Sequence, residues 1–476
     1  MATADLVDLV KNQLIPDHEE ECQKLERIDR WYRWSPDDIE LPNTATKELR
    51  ALRELSRVPW LGLVVTSTAQ CMYVDGYRSS LDPVGKPEDI KPSGPWKIWQ
   101  ANRWDLRQNA VHRAMLAYGY AYATALPGED PITKEPMPVL RGVSPRKMWA
   151  VYEDPAEDDF PKYAMRVMRN SDSSRTIRVY DEKYVYTLVE AKNADPGSEP
   201  WALQGEPLVH GAGVTPVVRY CNQLDLDGRT PGEIEPHIPI AARINKTSYD
   251  RVLVQHFNSW KIRWIAGLSE PDTEEDAVRQ KLKLKQDDLL IFEDNDTKTG
   301  ALPETALTGF IEAHEADIET LAAVTQTPTH ELTGKLINVS AEGLAMIRAS
   351  QQQKVHERQT SAGAAHSQLL RLGAHLAGDE DHAQDITGRV TWQDTSIRSM
   401  AQAVDALGKA ATMLNIPVTA LWSRIPGVEK SDVEEWIELA REDDPINRLA
   451  QQLDRQSLQA PPPSDPNPSG SDSATE

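Results

Sequence analysis

The residues best able to do chemistry occur in short runs, and each run lacks a member of the set its chemistry requires. Thr333-Gly334-Lys335-Leu336 ends like a phosphate loop, in which a glycine-rich backbone cradles phosphate and the lysine reaches it. Yet position 329 is Thr where the first glycine belongs, and Leu336 replaces the hydroxyl that holds magnesium. His210-Gly211-Ala212-Gly213 lacks the third glycine of a dinucleotide fingerprint and precedes a β-like segment, so it reads as a turn. Asp225, Asp227 and Gly228 begin like a calcium loop but lack the third ligand and the distal glutamate; a polar turn fits better. Asp154, Glu157, Asp158 and Asp159 could collect a divalent ion, although acidic loops are usually only solvated.

The eleven histidines include no HExxH and no obvious Ser or Cys partner. His314, on an otherwise apolar stripe, reads as a packed core or interface residue rather than a ligand. Cys22, Cys71 and Cys221 are far apart and odd in number, which argues against a disulfide framework or a zinc site and suits a reducing cytoplasm. The sequon at Asn338 to Ser340 has no meaning without export. Catalytic groups converge in space rather than in sequence, but no set here favours a dispersed triad. The expectation is therefore no catalytic residue, no cofactor and no metal.

At 476 residues the chain predicts two or three structural regions with well-formed cores. Its 52 basic and 74 acidic residues give a net charge of −22, the opposite of the basic footprint that neutralises phosphate. Tight nucleic-acid binding is disfavoured. An acidic wall still suits a task in which DNA slides past without long-lived contacts. The opening run MATADLVDLVKNQLIPDHEEE is acidic where a secretory signal is basic, and no segment offers the roughly 18 uninterrupted apolar residues of a membrane span. A soluble, non-exported protein is expected.

The periodicities predict the elements that would position any site. Residues 3–34 read as helix broken near Pro16, with Leu25, Ile28 and Trp31 on one face. A second helix is expected after a cap at Asn43, Thr44 or Thr46, ending before Pro59; the apolar run from Trp60 resumes as buried helix or strand. Helical spacing from Ile98 to Tyr118 stops at Gly119. Five short Val-, Tyr- and Thr-rich runs between Tyr120 and Glu190 then suggest a mixed or antiparallel sheet. Residues 237–264 carry one apolar stripe, Tyr249, Leu253, Phe257, Trp260 and Trp264, and a second begins at Leu307. The first of these helices is basic and the second acidic, so they could pair with each other or across subunits. Between them lies an acidic interruption with a strand-like DDLLIFED. A helix of about 37 residues, roughly 55 Å long, should run from a cap at Ser340 to Ala377. Its middle is polar almost all round and contains Gly363, unlike an ordinary core helix, so it should face subunits or a lumen. A short strand near GRVTWQD, helices at roughly 396–414, 418–424 and 431–441, the last with Ser431 and Glu434 in capping-box spacing, and a disordered tail from Gln459 complete the chain.

The order of these parts resembles the portal proteins of tailed bacteriophages, in particular siphophage portals of actinobacterial hosts. Ser56 to Arg78 resembles the family's buried segment ending in a Gly-aromatic-Arg turn. WKIWQANRWD with VHRAMLAYGYAYATALPG resembles the helix and first strand of the wing; VSPRKMWAVYEDP resembles a wing strand ending in an aromatic and Asp-Pro. VTPVVRYCNQLDLDGRTPGEIE resembles the approach to the first stem helix, and THELTGKLINVSAEGLAMI has the punctuation of the tunnel region. The likeness covers about residues 20–440.

The resemblance implies an α+β portal fold: a mixed α/β wing at 1–236, stem helices at 237–265 and 306–327, and a small α/β clip at 266–305. A tunnel loop, long helix and return to the wing follow at 328–395, then a helical crown at 396–458 and the tail at 459–476. It implies a non-enzymatic ring, a dodecamer, at the portal vertex of the virion, assembled in the host cytoplasm. Double-stranded DNA passes through it without sequence specificity and without a membrane. Implied partners are the terminase large subunit, the head-tail adaptor, and the major capsid and scaffolding proteins. Lys335, with His330 and Glu331, is the candidate for the DNA-tunnel loop; Asp287, Asp288, Leu289, Leu290, Ile291 and Phe292 are candidates for docking the motor and adaptor. Another head-completion or capsid component, or a nucleotide-dependent phage enzyme, is the rival reading.

Overall fold

The computed structural model describes residues 3–35, 39–81, 94–171, 174–191, 200–258, 263–266, 298–301, 305–335, 341–393, 400–422, 425, 428 and 430–442. The chain divides into two units, Met1–Leu81 with Pro92–Gln393, and Asp82–Lys91 with Asp394–Glu476. Helices and strands are segregated along the sequence and every strand pair is antiparallel, an α+β arrangement rather than alternating βαβ units.

The first unit opens with helix α1 (Thr3–Leu9) and helix α2 (Ile15–Tyr32), joined without a break through a π turn at Val10–Leu14. The predicted break at Pro16 is thus a widening. Proline cannot donate to the residue four back and its ring crowds that carbonyl, and a wider turn immediately before it relieves both. Leu25, Ile28 and Trp31 are buried on one face as their spacing requires. Helix α3 (Lys47–Ser56) starts at Thr46, whose hydroxyl accepts from the Leu49 amide at 3.2 Å, and α4 (Trp60–Gln70) resolves the ambiguous apolar run as a helix. Strand β1 (Val74–Arg78) follows. The helical stretch to Tyr118 is two helices, α5 (Gly94–Ala101) and α6 (Trp104–Tyr118), separated where Arg103 adopts a φ of 50°. Gly119 ends α6 at a φ of 93°; a Cβ there would overlap the Thr230 carbonyl oxygen, so glycine serves both the turn and a close approach.

All five predicted strand runs form. Strands β2 (Tyr120–Glu129), β3 (Pro136–Val143) and β10 (Val217–Cys221) make a three-stranded sheet in the order β10-β2-β3. A six-stranded sheet is built from β4 (Met148–Val151), β5 (Tyr163–Arg169), β6 (Arg175–Tyr180), β7 (Tyr184–Glu190), β8 (Trp201–Leu203) and β9 (Leu208–Val209). Leu6, Val7, Val10 and Leu14 close one face of the larger sheet against Met165, Ile177, Val179 and Leu188. Tyr120, Tyr122, Ala164 and Tyr180 pack between the two sheets.

Helix α7 spans Ile238–Asn258 among the described residues. Trp264, placed by its spacing on the same stripe, lies instead in strand β11 (Arg263–Ala266), which pairs with β12 (Lys298–Ala301). The Trp264-Ile265 pair suits an extended backbone, and pairing overrides a period that matched a helix by coincidence. Helix α8 (Thr308–Val324) returns alongside α7, and Arg243 meets Asp317 across them at 2.9 Å. The basic and acidic helices therefore pair within one chain.

The short helix α9 (Thr329–Thr333) and the long helix α10 (Ala341–Leu376) follow. Against expectation, the C-terminal half of α10 is a core helix: Ala362, Ala365, Leu369, Leu370 and Leu372 are buried against α5, β2, β3 and β10. Its polar residues Gln351, Lys354, Arg358 and His366 are buried too, each supplied with a partner, which is the condition for burying them. Helix α11 (Glu380–Gln384) and strand β13 (Arg389–Trp392) close the unit, β13 pairing with β1. In the second unit, helices α12 (Met400–Leu414), α13 (Val418–Trp422) and α14 (Lys430–Glu442) form near their expected positions. α14 begins at Lys430, within a residue of the expected start. Trp422 and Trp436 meet edge to face at 6.2 Å. The DDLLIFED segment, the Ser340 cap and the tail from Gln459 lie outside the described residues.

Candidate functional site

The candidate tunnel segment begins as structure rather than as loop. Pro328 precedes α9, and Gly334, at a φ of 68°, caps its end with its amide donated to the His330 carbonyl at 2.9 Å. This glycine ends a helix, whereas a phosphate loop opens one. Glu331 faces inward: its carboxylate accepts from the Ser67 hydroxyl of α4 and from Gln351 Nε2 of α10 at 3.2 Å, and pairs with Arg348 at 3.2 Å. That clamp fixes α9 to two other helices. Lys335, just beyond the cap, is exposed and its ammonium meets Glu315 of α8 at 2.6 Å; the lysine holds the Glu315 carboxyl below its ordinary range. An exposed pair of this kind contributes little and opens readily. His330 is half-buried. Residues 336–340 and the docking candidates Asp287, Asp288, Leu289, Leu290, Ile291 and Phe292 lie outside the described residues.

Behind this segment three charges are buried together. Glu233, five residues ahead of α7, receives Arg358 of α10 at 3.0 Å, Lys354 at 3.7 Å and Asn222 Nδ2 at 3.2 Å. Lys354 also donates to the Thr325 carbonyl at the end of α8, at 2.7 Å. All three charged side chains are at most 5% exposed. Burial alone would raise the Glu233 carboxyl, but Lys354 and Arg358 hold it below the usual carboxylate range. Burial pulls the Lys354 ammonium down, opposed by Glu233. The segment leading into α7, the end of α8 and the long helix are thus joined at one point by two ion pairs and a hydrogen bond to a backbone carbonyl.

A second polar chain crosses the core. His112 Nδ1 lies 3.1 Å from the Met72 carbonyl, His112 Nε2 lies 2.8 Å from His366 Nε2, and His366 Nδ1 lies 2.9 Å from the Tyr220 hydroxyl. A carbonyl can only accept, so His112 Nδ1 carries a proton. With both imidazoles neutral, His366 Nε2–H then donates to His112 Nε2, and the Tyr220 hydroxyl donates to His366 Nδ1. Both imidazoles are fully buried, and burial lowers His112 to about 4 and His366 well below its ordinary value. The chain is saturated by its own members and walled by Trp99 and Trp392, so it serves packing between α6, α10 and β10.

Sequence reasoning missed both networks. His112 and His366 are 254 positions apart, and Lys354 and Arg358 look like any solvated i,i+4 pair. The one available signal was that Val111, His112 and Met115 share an apolar neighbourhood, with a histidine inside it. Other expectations hold: His314 packs edge to face on Trp60 at 6.2 Å, Gly211 and Gly213 form a turn with positive φ, and Asp225 caps its own turn by accepting from Asp227 and Arg229. Among the described residues no group of acids, histidines or cysteines could hold a metal ion, and no helix is long and apolar enough to cross a membrane.

A family model described as phage portal protein, SPP1 Gp6-like, matches residues 11–446. No curated protein matches the chain. The matched span includes both sheets, the paired helices α7 and α8, the buried junction and the long helix, and the chain belongs to the phage portal proteins. It is a structural protein of the virion, and membership implies a ring oligomer in the capsid that works with the packaging machinery and DNA.

Proposed function

We propose that the chain is one of twelve subunits of a ring at the portal vertex, assembled in the host cytoplasm, through which double-stranded DNA is packaged and later ejected. The observation that carries this reading is the family match over residues 11–446. The antiparallel pair α7 and α8, joined by Arg243 and Asp317, supports a stem spanning about 237–265 and 306–327. The sequence between them, with Asp287 to Phe292, is the clip that docks the terminase large subunit and then the head-tail adaptor. The wing is 1–236 and the crown 396–458, and contacts with the major capsid and scaffolding proteins fall to the ring's outer surface.

In this reading Lys335 meets the phosphate backbone in the tunnel. Its position just past a helix clamped through Glu331 presents an ammonium from a fixed base, and its exposed pairing with Glu315 is easily exchanged for phosphate. His330 and Glu331 flank it, Glu331 as the anchor of the segment. A transient contact on an acidic chain suits sliding better than holding. Lys335→Glu is expected to cut packaged DNA per particle several-fold, measured by particle buoyant density. Glu315→Gln, which removes the intrachain partner and keeps the ammonium, should package normally. Unchanged packaging by Lys335→Glu would remove the DNA role.

A further inference from the structure

Four arginines converge on one face of the first unit with no carboxylate among them. A groove of about 600 Å3 runs between α6 and the β3 edge of the three-stranded sheet, lined by Arg107, Arg141 and Arg166. Arg166 on β5 stands directly across from Arg178 on β6 in the antiparallel register, and like charges so placed destabilise a sheet unless something neutralises them. Tyr180, two residues further along β6, is fully buried, and burial pushes its hydroxyl up against the opposing charges of Arg166, Arg178 and Arg141. The same two strands oppose Arg169 and Arg175, but there Glu190 and Glu19 take Arg175 at 2.9 and 3.1 Å. No ion pair reaches Arg107, Arg141, Arg166 or Arg178 among the described residues. On a chain of net charge −22, this is a positive site without its anion.

The complement stands at the other edge of the three-stranded sheet. Beside β10, the loop between β4 and β5 is held by Arg219, which stacks on the Tyr152 ring at 4.2 Å and donates to the Pro155 carbonyl. The side chains of Asp154, Glu157, Asp158 and Asp159 meet no cation among the described residues; Glu153 alone is paired, with Lys162. Asp154 and Asp158 also accept from amides of the loop, which fixes its shape. Loop and groove make no ion pair with each other within the chain. A head-to-tail ring needs two different patches on one subunit that fit each other, and here one chain carries both.

We propose that the acidic loop at 154–159 of one subunit docks into the arginine groove of the next, neutralising the Arg166 and Arg178 pair and fixing the register of the ring. This rests on the ring reading above and names its contact. Phosphate is the other polyanion that such arginines take, but the matching carboxylates on the same chain and the chain's overall charge favour a second copy.

The test uses the full chain, with rings counted by electron microscopy and sedimentation. Arg141→Glu with Arg166→Glu should reduce the ring fraction by about tenfold or more, as should Asp158→Lys with Asp159→Lys, and the combined variant should regain rings. An independent measurement pairs Arg141→Cys with Asp159→Cys: on oxidation it should give a ladder of covalent multimers absent from either single variant. Rings that persist in both charge-reversed variants, a combined variant that does not recover, or no ladder would each overturn the contact. Arginine variants that keep their rings but lose DNA retention would reassign the groove to nucleic acid. A wild-type chain that forms no ring at all overturns the ring reading itself, an outcome distinct from failure of this contact alone.

Discussion

Replacing Glu233 with Gln is expected to lower the unfolding free energy by about 3–5 kcal/mol, because it strands two buried cations rather than merely deleting a contact. Lys354 and Arg358 are at most 4% exposed, and Glu233 is the carboxylate they share. The Thr325 carbonyl would remain to Lys354 and the exposed Glu357 to Arg358, which partly offsets the loss but not the buried charge. The double variant Glu233→Gln with Lys354→Met should recover a large part of the stability, since a buried ion pair replaced by apolar volume is often close to neutral. Urea denaturation of both variants measures this directly. A loss below about 1 kcal/mol for the single variant would mean that the cations find solvent.

The second large effect is a loss of stability in mild acid. His112 titrates near 6.5 when unfolded and is lowered to about 4 in the fold by burial, against the raising effect of its Met72 bond. Between those values the unfolded chain binds a proton that the folded chain does not. The stabilisation is therefore fully present above pH 6.5 and is lost as pH falls through 6.5 towards 4; below about 4 both states are protonated and the loss levels off. For His112 alone the loss is on the order of 3 kcal/mol. His366, lowered by burial and then by His112, acts in the same direction. Proton uptake also breaks the relay, since a doubly protonated imidazole cannot accept from its neighbour. Unfolding free energies from pH 8 to 4 should fall steeply across this window, and a His112→Gln, His366→Gln variant should show a shallower fall. Equal slopes would place the acid sensitivity elsewhere.

Both effects come from features that the sequence conceals for a physical reason. Periodicity reports which residues share a face, so it located α2, α6, α7, α8 and the strands from Tyr120 to Glu190. It does not report which faces meet. The polarity of α10 pointed outward because Gln351, Lys354, Arg358 and His366 are residues normally left in water, whereas the structure supplies each with a partner from a distant segment. The same limit applies to Trp264, where a helical spacing continued into what is strand β11. Proline at position 16 was visible, but the π turn that accommodates it, with Val10 and Leu14 buried on the sheet, was not. Within the candidate site, Lys335 and Glu331 were legible as polar residues beside a glycine, and their different surroundings were not. The opposition of Arg166 and Arg178 needs only the β5-β6 register, which the alternation of those strands carries but does not fix alone.

As proposed, the chain is a ring subunit whose paired helices α7 and α8 serve as the stem. Electron microscopy of the purified full chain tests it most directly. The account predicts closed rings of twelve subunits around an axial channel, whereas a population of monomers, or open filaments without a channel, would contradict it.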